Sequence, residues 1–207
     1  MANFYPSLST YLTNILSSPV ELSKERQEDL KRISQYISGK LAQKEKINMI
    51  FICTHNSRRS HMGQIWAQVL AEHFGIEGVS TYSGGTEATA FHPNAVSGLG
   101  KSGLVISSDE ADTNPRYNVS WNEEGPQLSG IFSKKFSHEV NPQQGFLAIM
   151  VCSSADEACP FVPGAESRVA IPYDDPKAFD GTSKEAAKYE ERSIQIAREL
   201  VWMYQQI

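Results

Sequence analysis

Apolar and polar positions recur with two different periods along the chain. Over residues 1–46 the period is helical. Leu30, Ile33, Ile37 and Leu41 repeat at three- and four-residue steps among Lys, Glu, Arg and Gln. The pattern predicts an amphipathic helix pair packed on the rest of the molecule, with a partner-binding or dimerising arm as the alternative. Gly39 interrupts it near its end. At Ile47 the character changes. Residues 47–53 are short, apolar and strand-forming, which predicts a buried strand. Residues 60–74 then place Met62, Ile65, Trp66, Val69, Leu70 and Phe74 on one helical face, stopped by Gly75. A second strand is expected over 78–83. A helix opens at His92, with Pro93 in its first turn. Further buried strands are expected over 146–152 and 167–171. The last helix is expected to start near Thr182, with Glu185 completing a capping box and Tyr189, Ile194, Ala197, Leu200, Val201 and Tyr204 facing inward.

Strands alternate with helices, so the expected fold is α/β: three layers, doubly wound, with a mainly parallel sheet and an N-terminal helical extension. We place the extension at 1–46 and the main domain at 47–207. Over 106–144 the periodicity dissolves. This stretch reads as an insert with one or two short strands, such as 130–133, and it holds Tyr117, Trp121 and Phe132. No internal repeat is present.

Composition narrows the classes. The chain has 207 residues, 40% hydrophobic and 21% charged, enough for a real core and unlike a disordered segment. A net charge of −5 argues against a nucleic-acid coat and against a basic membrane clamp. The longest apolar run, Phe146 to Cys152, falls well short of the roughly 20 residues of a membrane helix. The start of the sequence lacks the basic and apolar regions of a signal peptide. With 3 cysteines as well, a reducing cytoplasm is the expected setting. The thiols there are buried small hydrophobes or working nucleophiles.

Chemistry concentrates at the end of the 47–53 strand, in Cys53-Thr54-His55-Asn56-Ser57-Arg58-Arg59-Ser60. The carboxyl end of a strand in an open α/β sheet is where ligands bind. A tight loop running into a helix there aims successive backbone N–H groups at one spot, suited to a tetrahedral oxyanion. Cys53 at its rim gains the same stabilisation as a thiolate. Arg59 offers a planar fork for two oxyanion oxygens. Ser60 can donate to the thiolate, and Asn56 tolerates a left-handed backbone that pins the loop. We therefore take Cys53 and Arg59 as catalytic and Thr54, His55, Asn56, Ser57, Arg58 and Ser60 as oxyanion-binding. The alternative is a buried Cys beside a solvated Arg pair.

A leaving group needs a proton donor. Asp175, just before Pro176 and after a predicted strand, fills that role, with Asp174 as the fallback and a simple Asp-Pro turn as the alternative. Cys152 also ends a predicted strand, and Cys159 follows seven positions later. On an intact helix that separation is about 10 Å, whereas a disulfide needs about 4.4–6.8 Å between Cα atoms. A bond between them calls for a looped or unwound segment. The two thiols read as a relay that attacks and resolves Cys53, or as incidental cysteines. His55, His61, His73, His92 and His138 form no zinc spacing, so neither metal nor cofactor is expected. Gly100-Lys101-Ser102 imitates a nucleotide loop without its earlier glycine, and the sequon at Asn118 is irrelevant without export.

At these residues the chain resembles the low-molecular-weight protein tyrosine phosphatase family, and most of all its thioredoxin-coupled arsenate reductase branch. The resemblance spans about 47–207. It rests on the Cys53–Ser60 loop, Tyr82-Ser83-Gly84-Gly85, the Pro93 helix start, the Cys152/Cys159-Pro160 pair and Asp174-Asp175-Pro176. Thr54, Ser57 and the spaced cysteines favour the reductase branch. Phosphatases of the family usually carry Leu in place of Thr54 and often paired tyrosines after the Asp-Pro, where this chain has Lys177-Ala178-Phe179. The resemblance implies that Cys53 attacks arsenate held by Arg59 and the loop amides, and that Asp175 protonates the departing oxygen. Cys152 then attacks Cys53 and frees arsenite, and Cys159 attacks Cys152, leaving a Cys152–Cys159 disulfide for thioredoxin to reduce. The alternative it implies is a phosphatase for phosphotyrosine or a small phosphoester, forming a phosphocysteine on Cys53. A non-catalytic oxyanion or phosphoprotein binder is the third reading. Four departures stand out. His55 replaces the usual Gly, which predicts a strained or reshaped loop. Arg58 replaces a Cys or an apolar residue. Gln64 replaces a Glu that helps bind potassium in some reductases, which argues against that ion site. The insert is extra; it is expected to cover the site or to offer an aromatic wall of Tyr117, Trp121 and Phe132, with core burial of those rings as the alternative.

Overall fold

A computed structural model of the chain describes residues 3–108 and 111–207; residues 1–2 and positions 109–110 of the insert lie outside the described residues. Four parallel strands form the central sheet: β1 (Ile47–Cys53), β2 (Val79–Gly85), β6 (Phe146–Met150) and β7 (Ala165–Ala170), in the order β2-β1-β6-β7. Strands β1 and β6 are apolar almost throughout because both of their faces are covered. Helix α3 (Arg59–His73) carries the chain from β1 to β2, and α5 (Ser153–Ala158) carries it from β6 to β7. These two crossovers run outward in opposite directions. Right-handed crossovers therefore put α3 and α5 on opposite faces, and the strand order reverses between β1 and β6. Helix α3 approaches β1 closely because residue 63 is glycine: a Cβ there would stand 2.4 Å from the Phe51 ring.

Helix α4 (Pro93–Gly100) and α6 (Glu185–Tyr204) complete the main domain, α6 packing on α3 and α4. The final helix differs from the expected one. It starts three residues later, with no side-chain cap at Lys184. Thr182 spends its hydroxyl on the Phe179 carbonyl, and Glu185 bonds Asn94 and the Gly181 N–H instead of closing a capping box. Ile196 rather than Ile194 is buried.

The N-terminal region is a helix pair, α1 (Pro6–Ser17) and α2 (Lys24–Gln43), whose Leu8, Leu12, Leu30, Ile33 and Ile37 join the main core. Ser23 caps α2 by accepting from the Arg26 N–H. Helix α2 runs beside β7, the edge strand. Tyr36 and Lys40 bond Glu166, Arg32 donates to the Arg168 carbonyl at 3.2 Å, and Arg26 donates to the Pro172 carbonyl at 2.5 Å.

The insert is more ordered than its sequence suggests. It forms an antiparallel sheet of β3 (Val105–Ser107), β4 (Tyr117–Ser120) and β5 (Leu128–Ile131). Trp121 is buried, and its indole N–H donates to Glu72 on α3 at 2.7 Å. Phe132 is also buried, and Tyr117 packs edge-on against Phe91. Trp121 belongs to the core, Tyr117 is half-buried against that core, and Phe132 is buried beneath Arg116 and Lys134, so the three rings form no common wall. Among the described residues, no helix is long and apolar enough to cross a membrane.

Candidate active site

Strand β1 ends at Cys53 and α3 begins at Arg59, so the intervening loop lies at the switch point between β1 and β6. Its carbonyl groups are bonded outward. Cys53 O accepts from Thr86 N, Thr54 O from Glu87 N, Ser57 O from His92 N, and His55 O from the Thr89 and Ser133 hydroxyls. Its N–H groups are not. From Thr54 through Ser60 no backbone N–H finds an acceptor among the described residues. A run of unpartnered donors at a helix N-terminus is the kind of cradle that suits an anion. The turn needs room on its outer side. A Cβ on Gly85 would lie 2.2 Å from Glu87 O, 2.6 Å from Thr54 O and 2.7 Å from Asn56 N, all backbone atoms.

Asn56 supplies the one left-handed residue of the loop, at φ 44°. His55 keeps a negative φ, so the absence of glycine there strains nothing. The Asn56 amide fixes a direction of hydrogen bonding. Its Oδ1 accepts from the Lys134 N–H at 2.8 Å, so its Nδ2 donates to Ser60 Oγ at 2.8 Å. Ser60 Oγ then has its proton free for Cys53 Sγ, 3.1 Å away. The chain Asn56–Ser60–Cys53 thus ends in a donor aimed at the sulfur.

Arg59 lies on the first turn of α3. Its Nη2 donates to Asp175 Oδ2 at 2.6 Å and its Nη1 to the Tyr173 carbonyl at 2.8 Å. Its Nε is buried and has no acceptor among the described residues. Asp175 also caps the 3-10 turn Pro176–Phe179 through the Lys177 N–H. Asp174 is a different case: its side chain is 97% exposed and faces Arg192. The fallback acid is therefore away from the loop, and Asp175 is the carboxylate brought to it. The Arg58 side chain turns from the cradle. Its Nε donates to Tyr189 Oη at 2.6 Å and its Nη2 to Asp180 at 3.1 Å, while Tyr189 donates to Asp180 at 2.8 Å. Arg58 can serve an oxyanion through its N–H alone; its guanidinium ties down the far end of the segment bearing Asp175. His92 stacks on Tyr189, and burial followed by the nearby Arg58 charge lowers its pKa.

The other two thiols flank α5. Cys152 is buried at its N-cap, accepting from Ala155 N–H at 3.3 Å, and its Sγ lies 3.5 Å from Thr54 Oγ1 in the loop. Cys159 is half-buried at the C-cap. All three cysteines are free thiols. With both thiols free, the segment between Cys152 and Cys159 is a short helix over Ser153–Ala158, stopped by Pro160, so a bond between them calls for its unwinding.

Sequence reasoning missed the buttress behind the loop. Ser133 and Lys134 follow β5. Ser133 bonds His55 O and pairs with Asn114, and Lys134 bonds Asn56 and Gly85. Lys134 is buried over the Phe132 ring, and burial followed by Arg116 lowers its pKa to about 8. His61 is fully buried against Ser83 and Phe91; burial and then Lys134 push its pKa well down. Polar residues inside an aperiodic insert were the only available signal. Gln64 donates to the Thr81 carbonyl at 3.0 Å, a bond a carboxylate could not make. Among the described residues no group of three or more His, Cys, Asp or Glu could hold a metal.

A family model described as low molecular weight phosphotyrosine protein phosphatase matches residues 48–116, which span the loop, α3, β2 and α4. An arsenate reductase from Bacillus licheniformis is 31% identical over 140 residues, covering 68% of this chain and 81% of the relative. The chain belongs to this low-molecular-weight phosphatase family, in its arsenate reductase branch. Solved structures agree on the fold. A YwlE mutant from Bacillus subtilis superposes with a TM-score of 0.53 at 19% identity, covering 78% of this chain and 98% of its own. A low molecular weight protein tyrosine phosphatase from T. tengcongensis gives 0.54 at 17%, covering 78% and 100%. Within the family fold, the Cys53 loop, the Asp175 segment and the Cys152 N-cap meet at one end of the parallel sheet.

Proposed function

We propose that this protein reduces arsenate to arsenite. The observation that carries the reading is a second thiol at the loop: Cys152 Sγ stands 3.5 Å from the hydroxyl of the residue following Cys53. An oxyanion enters the N–H cradle and draws Arg59 from Asp175. The Cys53 thiolate attacks arsenic, forming an S–As bond, and an oxygen leaves as water with a proton from Asp175. Cys152 then attacks Cys53 Sγ. The S–S bond forms, the S–As electron pair stays on arsenic, and arsenic(V) departs as arsenic(III). Cys159 attacks Cys152, releasing the Cys53 thiolate and leaving a Cys152–Cys159 disulfide. A dithiol protein of the thioredoxin class returns both thiols. The similarity to the Bacillus licheniformis arsenate reductase supports this reading.

The phosphatase reading shares the first half and then lets water hydrolyse a phosphocysteine. The Arg59–Asp175 pair serves either course. Among the described residues, the pocket beside the loop is lined by His55, Ser57, Arg58, Thr89, Ala90, His92, Pro93 and Lys177, with no tyrosine or tryptophan. The test is NADPH consumption with arsenate, thioredoxin and thioredoxin reductase, run beside aryl phosphate cleavage. Loss of arsenate turnover in Cys159→Ser, with aryl phosphate cleavage retained, supports reduction. No arsenate turnover, with equal aryl phosphate cleavage by both proteins, makes it a phosphatase.

A further inference from the structure

Helix α5 separates the two relay thiols, and what keeps it wound is not its own sequence. Asp156 O would accept from residue 160 and Cys159 O from residue 163 if helical bonding continued. Both are prolines, without an N–H. Both carbonyls would be orphans at a helix end. Arg168 takes them. From β7 its Nη2 donates to Asp156 O at 2.8 Å and its Nε to Cys159 O at 3.0 Å, while the same guanidinium pairs with the Asp156 carboxylate. Its own backbone is fixed, opposite Ala148 in the sheet and under Arg32 of α2.

We infer that Arg168 is a positioning residue for the relay, a latch that holds α5 wound in the dithiol state and yields when Cys159 moves to Cys152. This rests on the relay reading above. Seven helical steps put the two Cα atoms about 10 Å apart, and a disulfide needs about 4.4–6.8 Å. Cys152 is anchored at the N-cap and 1% exposed. Cys159 is therefore the thiol that travels. Its carbonyl cannot move toward Cys152 without leaving Arg168 Nε, and the unwinding breaks the Asp156 contacts as well. The latch opposes the last thiol exchange and favours the dithiol. It delays resolution until Cys152 has been made electrophilic by Cys53.

The test uses the full chain carrying Cys53→Ser, so that Cys152 and Cys159 alone equilibrate. Dithiothreitol is the probe: each protein disulfide formed reduces one oxidised dithiothreitol, two electrons and two protons changing hands. Thiol trapping and mass spectrometry read the ratio. Arg168→Met is expected to shift the constant about tenfold toward the disulfide, from loss of partly exposed charge-assisted bonds, which is about 30 mV. Asp156→Ala shifts it the same way by less and serves if Arg168→Met does not fold. Tm should fall in the dithiol form of Arg168→Met and hold in the disulfide form, a difference that a merely structural residue would not produce. An unchanged constant, equal Tm loss in both forms, or no disulfide at all overturns the latch. Arsenate turnover in the parent chain is scored separately. A shifted constant without turnover keeps the latch and removes the reductase; turnover with an unchanged constant does the reverse.

Discussion

Lys134 pays for its position, and the cost can be measured. It is 5% exposed, its ammonium lies over Phe132 and donates to the Phe132 carbonyl, and among the described residues no carboxylate pairs with it. In the unfolded chain this lysine holds its proton up to 10.5; in the fold, to about 8. Between those values the unfolded state binds the extra proton, so stability rises with pH across that window. Below it both states are protonated, and the native state bears the full penalty, about 3 kcal/mol from the difference in pKa. Lys134→Met keeps the aliphatic stem and the backbone bonds to Asn56 and Gly85 while removing the charge. Losing one carbonyl bond returns about 1 kcal/mol, so the variant should gain about 2 kcal/mol at neutral pH. Above 10.5 the gain should vanish or reverse. Urea titrations across this range measure both. A variant less stable than its parent at neutral pH, by an amount that does not change with pH, refutes the reasoning.

Inorganic arsenate or sulfate should raise Tm in Cys53→Ser, by the equivalent of about 2.7 kcal/mol at a hundredfold excess over Kd, and differential scanning fluorimetry should show the effect lost in Arg59→Met. Asp175→Asn should slow steady-state turnover by about a hundredfold or more; Asp174→Asn, whose side chain is in solvent, should stay within about twofold of the parent. Gly85→Ala must displace the backbone of Thr54, Asn56 or Glu87, so isothermal titration should find oxyanion binding weakened even if circular dichroism shows the fold intact.

Strands β1, β2 and β6 and helix α3 were legible because each buries a face of its own sequence. Strand β7, expected as a buried strand over 167–171, is a half-exposed edge over Ala165–Ala170 in which Val169 alone is buried. Ile47–Cys53 is apolar on both sides, and α3 carries its core positions at helical spacing. The arrangement of Cys53, Asn56 and Ser60 was legible for a similar reason: its members lie within one loop. What escaped notice depends on distant partners. Strands β3, β4 and β5 are only three or four residues long and are held by Val119, Trp121 and Ile131 against a core built elsewhere. Lys134 and Ser133 meet the loop across 78 residues of chain, and no local period announces such contacts. Arg58 read as a loop residue, yet its partners, Asp180 and Tyr189, come from the other end of the molecule. Helix α5 was not predicted, since Pro160 and small polar residues disfavour a helix; Arg168 supplies the donors that the prolines lack.

The two margins of the central sheet are closed by side chains and one backbone bridge instead of further strands. On β2, Gln64 and Gln68 of α3 bond the outward groups of Val79 and Thr81, Asn141 takes Ser83 O, and residues 134 and 136 take Gly85. At β7 and just beyond its end, α2 lays Arg32 on the Arg168 carbonyl and Arg26 on the Pro172 carbonyl. A parallel sheet left open at its margins is a template on which a second copy can add a strand. Here the glutamines, the insert and the N-terminal helices occupy those ladder positions in advance. Removing α2 would therefore do more than shorten the chain: it would bare one rim of the sheet to self-association, and the protein's dispersal at high concentration would come to depend on a segment far from Cys53.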